Sequence, residues 1–302
     1  LVNNDVMIDD QFIGKINGLK LALDLKKGAL ETDIKSLKKA ARQTIGPELE
    51  KRIQNIIDTG LIELNNDFKI YWNDFPIAKL SSGHDYLNPN FELIVDDIIE
   101  PIQKQKLSDY INKWIEDKIN LVLKSLVDLK NLKDKNSSIK ALAYQLYENN
   151  GVLKREQVSE YLKSLGQNER KILRELGVKF GRYHVFLYQL IKPEAVSIRT
   201  LLWKNFHQKH YNIKPPTFGL NFLDDKEHRN KNFMLLCGFE KFDTLFIRID
   251  ILERLFMLII SSTNSKENKE IKIIPEMLNL LGCSKDNFKK LLQKMNYKIF
   301  DK

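Results

Sequence analysis

Cysteine is nearly absent. The 302 residues contain two, Cys237 and Cys283, far apart and in no CxxC pair. That excludes a disulfide framework or a cysteine-built zinc site as the organising element and fits a reducing cytoplasm. An uninterrupted apolar run of membrane length is also missing. The longest candidate, LFIRIDILERLFMLII (245–260), is broken by Arg248, Asp250, Glu253 and Arg254. It reads as a buried amphipathic helix and not as a span. No signal peptide opens the sequence, which starts at Leu1 rather than Met and so reads as a piece of a longer chain.

Catalytic signatures are lacking as well. A phosphate loop would need GxxxxGK[ST], but Gly14-Lys15 has Asp9 at the first glycine position and Ile16 after the lysine. GxGxxG and HExxH do not occur, and no serine or cysteine sits in a recognisable nucleophile setting. His207 and His210 have an i, i+3 spacing, yet no nearby carboxylate or cysteine completes a metal site. His84-Asp85 lies in the polar turn SSGHDYLNP, where turn chemistry accounts for it. Asp250 and Glu253-Arg254 read as a helix N-terminus and its ion pairs. An enzyme within these residues is therefore the reading with least support.

What is present is a basic, globular composition. The formal charge is +9, with Lys the main cation, and 43% of residues are apolar. Such a chain buries a core, has room for about two or three domains, and favours an anionic partner such as nucleic acid or an acidic membrane. A Lys- and Asn-rich bias of the coding sequence gives the same composition, so charge alone decides nothing.

The first hundred residues alternate strand and helix signals. VMIDDQFIGKINGLKLALDL (6–25) has turn signals at Asp9-Asp10 and Asn17-Gly18. Residues 33–45 and 47–58 read as two helices separated by Gly46-Pro47. LIELNNDFKIYW (61–72) reads as a hairpin turning at Asn65-Asn66-Asp67. VMIDDQFIGKI (6–16) aligns with IYWNDFPIAKL (70–80) at an offset of 64, Asp10 meeting Asp74 and Lys15 meeting Lys79. One small β unit is used twice. Residues 104–129 then show a single apolar helical stripe, and 130–138 is a polar linker.

The stretch 139–187 reads as helix, short strand (152–155), helix, helix, hairpin, the element order of a winged helix. In the third helix Ile172, Leu173 and Leu176 share one face, and Arg170, Lys171 and Arg174 occupy the other. Lys154, Arg155, Lys179 and Arg182 lie on the short strand and the hairpin. These seven are the candidate phosphate contacts. Tyr183, Phe186, Tyr188 and Trp203 offer rings for base stacking, but their setting in apolar runs favours core packing for all except Tyr183 in the turn. A second helix-turn-helix follows a helix at 247–260 and a polar linker: strand IKII (271–274), helix 275–281, a helix capped by Ser284, and strand YKIF (297–300). EYLKSLG (160–166) corresponds to EMLNLLG (276–282). Lys285, Lys289 and Lys290 give a weaker second basic patch, with Lys294 on the same side. Modules of this kind also dock proteins.

Four segments in order carry a resemblance: ALAYQLYENNGVLKRE, RKILRELGVKFGRYHVFLYQLIKPEAVSIRTLLW, CGFEKFDTLFIRIDILERL and IIPEMLNLLGCSKDNFKKLLQKMNYK. Together with IGKING and PIAKLSSGHDYLNP they resemble the C-terminal accessory region of bacterial, chiefly alphaproteobacterial, superfamily-two helicases related to the mitochondrial degradosome RNA helicase. The resemblance implies motor domains upstream in the same polypeptide, which would bind ATP and Mg. The motor motifs are absent here, so no cofactor is expected in this chain.

The combined expectation is an α+β, mainly helical protein, with small β units at the N-terminus and then helical segments containing two winged-helix-like units. The expected domains are 1–100, 101–206 and 207–302. The expected role is a non-catalytic, cytoplasmic, nucleic-acid-binding accessory segment acting on single-stranded RNA or DNA, with no membrane partner. The alternatives are a protein-docking scaffold and a stand-alone DNA-binding regulator.

Overall fold

The pattern used twice near the N-terminus is, in the computed structural model, one hydrogen-bonded unit built twice. The structure describes residues 4–8, 11–24, 31–132, 137–208, 212–225, 229–262 and 273–299. Strands β1 (Asp5–Ile8), β2 (Gln11–Asn17) and β3 (Lys20–Leu23) form one antiparallel sheet in that order. Strands β4 (Glu63–Leu64), β5 (Lys69–Trp72), β6 (Phe75–Asp85) and β7 (Asn88–Leu93) form another. In the first, Asp5 faces Lys15, Val6 faces Gly14, Met7 faces Phe12, and a bulge falls between Val6 and Met7. In the second, Lys69 faces Lys79, Ile70 faces Ala78, Tyr71 faces Pro76, and the bulge falls between Ile70 and Tyr71. Each of these positions is displaced by the same 64 residues (69 − 5, 79 − 15).

The entry to each unit is repeated too. Asn4 and Phe68 both hold positive φ, 74° and 66°. Their carbonyls accept the N–H groups of Ile16 and Leu80 at 2.9 and 2.8 Å. Asn tolerates the left-handed region, whereas Phe does not. Phe68 is held there by its buried ring, only 2% exposed. The copies differ in their closing hairpin, a tight turn between Asn17 and Lys20 in one and a long excursion to Asp85 and Asn88 in the other.

Between the sheets runs α1 (Glu31–Thr59), a single helix where the sequence suggested two. Pro47 removes one hydrogen bond, to the carbonyl of Gln43, and an interior proline costs about 3 kcal/mol. The clash a proline imposes on its predecessor is relieved because that residue is Gly46, whose Cβ position is open. Ile45, Leu49, Ile53 and Ile56 form one buried stripe across the proline. At about 1.5–3 kcal/mol each, their burial outweighs the break.

Asp96 closes this region. Its side chain is buried and accepts the N–H of Leu21 at 3.2 Å, the N–H of Ile98 at 3.2 Å and the ammonium of Lys38 at 3.1 Å. It thereby ties the first sheet to α1. Replacing Asp96 by Ala orphans those donors, so a loss of about 2–4 kcal/mol is expected in urea unfolding. Asp96→Asn should recover part of that loss.

The chain packs as two units, Leu1–Lys118 with Leu201–Asn212, and Ile119–Thr200 with Ile213–Lys302. The helix expected over 104–129 is in fact α2 (Pro101–Val122) and α3 (Lys124–Lys130), broken at Leu123 (φ −106°, ψ 23°). The second unit continues with α4 (Ser137–Glu148), β8 (Val152–Lys154), α5 (Ser159–Ser164), α6 (Gln167–Glu175), β9 (Val178–Phe180), β10 (His184–Leu187) and the first part of α7 (Pro193–Phe206), as far as Thr200. The sheet order is β8-β10-β9, all antiparallel. That is helix, strand, two helices and a hairpin, with the first strand against the last.

The same strand–helix–hairpin scheme then recurs as β11 (Phe222–Asp224), α8 (Lys231–Leu236), β12 (Phe239–Phe242) and β13 (Leu245–Arg248), in the order β11-β13-β12. Gly177 and Gly238, with φ of 90° and 86°, stand just before β9 and β12. Both leave a helix through the left-handed region that suits glycine. The sequence placed the second sheet at 271–274 and 297–300. Ile273–Ile274 and Tyr297–Ile299 carry no strand, and residues 271, 272 and 300 lie outside the described residues. Helices α9 (Ile249–Ser262), α10 (Pro275–Leu281) and α11 (Lys285–Lys294) complete the unit around Ile247, Leu255, Met277, Phe288 and Leu292. Ser284 caps α11, its hydroxyl accepting the N–H of Asn287 at 3.2 Å. The protein is α+β and mainly helical, with small antiparallel sheets.

Candidate functional site

The cations singled out by the sequence fall into three structural groups. The first is an exposed face made by α6 and β9. Lys171, Arg174 and Lys179 are exposed there. The guanidinium groups of Arg170 and Arg174 each lie 5.6 Å from the centroid of the half-buried Phe180 ring. Helix α6 is short and polar, anchored by the fully buried Leu173. Arg170 has a further task, donating to the carbonyls of Leu162 (2.6 Å) and Leu165 (3.2 Å). It satisfies the open C-terminal end of α5 and braces the turn between the two helices.

The second group is engaged by partners within the protein. Lys154 is bound to Glu240 at 2.7 Å. Arg155 donates to the carbonyl of Gly181 at 2.7 Å. The Arg182 guanidinium lies 5.6 Å from the centroid of Phe256, on α9. The third group is on α11, where Lys285 and Lys290 are exposed, Lys289 is half-buried, and Lys294 pairs with Asp243 at 2.9 Å.

Behind the β9–β10 turn lies a buried charge cluster that the sequence did not reveal. His184 is 1% exposed. Its Nε2 is 2.9 Å from Glu240 and its Nδ1 is 3.6 Å from Glu253. Glu253 also takes the backbone N–H groups of Tyr183 (2.9 Å), His184 (3.0 Å) and Arg182. Burial alone would lower the His184 pKa, but the hydrogen bond to Glu240 and the nearby Glu253 carboxylate raise it above its ordinary value. Burial likewise opposes charge on the two carboxylates. The bonds from His184 and Lys154 hold Glu240 low, and the nearby His184 ring together with the bonds from the turn amides holds Glu253 low. Two carboxylates, one ammonium and one imidazole thus share a single cluster inside the fold.

The aromatic candidates are placed differently from one another. Phe186 is buried, and Tyr188 is exposed. Tyr183 packs edge-on against Phe256 at 5.2 Å between centroids. Trp203 packs against His207 at 4.7 Å. His210 lies outside the described residues, among which no group of three or more His, Cys, Asp or Glu is arranged to hold a metal. Cys237 is buried and Cys283 half-buried, and neither is in a disulfide. No described helix is long and apolar enough to cross a membrane.

Glu240 and Glu253 are the residues sequence reasoning missed. Glu253 reads in the sequence as part of a local helix ion pair, but its partners are about 70 residues away. Asp250 does pair locally, with Arg248 at 2.6 Å. No protein-family model, curated protein or solved structure matches this chain.

Proposed function

We propose that this protein binds nucleic acid through the α6–β9 face, as a non-catalytic accessory segment of an ATP-dependent helicase. The observation that carries the reading is the exposed cationic platform of Lys171, Arg174 and Lys179 beside Phe180. A guanidinium lying over an aromatic ring keeps its N–H edge for phosphate and its outer plane for a base. The segment order described above, which resembles helicase accessory regions, supports placing ATP and Mg chemistry in motor domains elsewhere in the polypeptide. Lys285 and Lys290 on α11 supply a second, weaker patch.

The test is the salt dependence of binding to labelled single-stranded and duplex RNA and DNA. Reversing Lys171, Arg174 and Lys179 to Glu should weaken binding to every sequence. It should also flatten log K against log salt by about two to three units, since each lost phosphate contact removes about 0.7–0.9. Arg170 is left intact because it braces α5. An unchanged slope in the triple variant sinks the assignment. A protein-docking role is the second reading, favoured by Met257 and Ile260, 64% and 50% exposed on α9. It gains if the wild type has no measurable nucleic-acid affinity.

A further inference from the structure

The turn between β9 and β10 has the chemistry of an anion receptor, and it is filled from within. Three successive N–H groups, of Arg182, Tyr183 and His184, converge on the one carboxylate of Glu253. A row of consecutive backbone donors forms a concave site that takes carboxylate or phosphate oxygens alike. Its rim is positive. Arg182 belongs to the turn itself, and the Arg155 guanidinium is fixed to the turn through the Gly181 carbonyl. The residue at 181 is glycine for a reason of space, since a Cβ there would lie 2.4–2.7 Å from the carboxyl atoms of Glu253.

We infer that this turn is a phosphodiester-binding site in which Glu253 stands in for the phosphate. A nucleic-acid backbone and Glu253 then compete for the same three N–H groups. The inference rests on the nucleic-acid reading of the neighbouring face, because Lys179 of that face precedes the turn by two residues. It goes beyond that reading in naming what must leave before the turn can engage. With Glu253 in place, a strand lying on Lys171, Arg174 and Lys179 gains nothing from the turn amides. With the carboxylate swung out, it gains charge-assisted bonds from all three.

Two variants separate the possibilities. Gly181 is not among the glycines with positive φ, so alanine suits its backbone. Gly181→Ala displaces the end of a flexible side chain without altering net charge. Glu253→Ala removes the competitor outright, and Glu276→Ala, an exposed site on α10, controls for the added positive charge. Binding is read with labelled oligouridylate and oligothymidylate across a salt series, using the whole chain. Gly181→Ala and Glu253→Ala should bind about tenfold more tightly than wild type, with a salt slope steeper by about one, and Glu276→Ala should match wild type.

If wild type binds, the α6 reversal weakens it, and Gly181→Ala and Glu253→Ala bind no better, then the inference is overturned while the nucleic-acid reading stands. If wild type and both variants fail to bind, both fall. Should the variants not fold, hydrogen exchange on the wild type still answers. Added oligonucleotide should change exchange at the amides of residues 182–184, and unchanged exchange in the bound state overturns the inference.

Discussion

Replacing Arg199 by Ala is expected to remove about 3–5 kcal/mol of stability from the second unit and to lower its Tm by something on the order of 10 °C. Arg199 is fully buried, with no exposed surface. It donates to the carbonyl of Asn150 at 2.7 Å and to that of Leu236 at 2.6 Å. Asn150 is in the left-handed turn (φ 56°) that leads from α4 into β8. Leu236 is the last residue of α8, just before β12. One guanidinium therefore ties the turn after α4, where the chain enters the first strand–helix–hairpin copy, to the end of α8 in the second copy, where carbonyls have run out of intrahelical donors. Alanine removes both bonds and leaves a cavity the size of the lost side chain. Methionine fills most of that space but donates nothing, so the Ala–Met difference reads the cavity and the remaining loss reads the orphaned carbonyls. Lysine keeps the charge without the fork that reaches two acceptors, and it should fall between Met and wild type. Urea unfolding at constant m is the measurement. A loss below about 1 kcal/mol for Arg199→Ala would show that the two copies do not depend on this bridge.

The parts of the fold that were legible in the sequence are those set by near neighbours. The repeated β unit could be read because a period-two apolar pattern fixes register, and a slip of one residue would turn Ile70 and Trp72 out of the core. The ends of α7, α10 and α11 could be read from Pro193, Gly282 and Ser284, each acting on its own turn. The continuity of α1 was hidden because the buried stripe that overrides Pro47 is a tertiary effect. The break at Leu123 has neither proline nor glycine behind it. Ile273 and Ile274 have strand composition, but they pack against the core that α9, α10 and α11 build, a tertiary setting their neighbours in sequence do not show. At the site, the sign of the charge was legible and its direction was not. Lys154 and Arg182 look like Lys171 and Arg174 in sequence. Only distant partners set them apart: Glu240, 86 residues away, turns Lys154 inward, and the Phe256 ring holds the Arg182 guanidinium beside α9.

Those partners set the second large expected effect, which depends on pH. Glu240→Gln leaves the Lys154 ammonium and the His184 imidazolium without their shared anion, and a loss of about 3–5 kcal/mol is expected near pH 6. The pH profile identifies the cause. The folded pKa of His184 is raised above its ordinary 6.5, so its contribution is complete below pH 6.5 and fades as pH rises through the folded value. The folded pKa values of Glu240 and Glu253 lie below 4.5, so their contributions are complete above pH 4.5 and fade only as pH falls through the lowered values. Above pH 6.5 the carboxylates are constant and His184 alone carries the slope. Wild-type stability should therefore decline from pH 6.5 upward. Glu240→Gln should decline less, because His184 keeps only the more distant Glu253 as a reason to stay protonated. The gap between the two proteins should narrow as pH rises, ending at what the Lys154–Glu240 pair contributes by itself. Thermal melts from pH 5.5 to 9 follow both curves. Parallel curves would mean that His184 is neutral in the native state and that the cluster is held by the lysine pair alone.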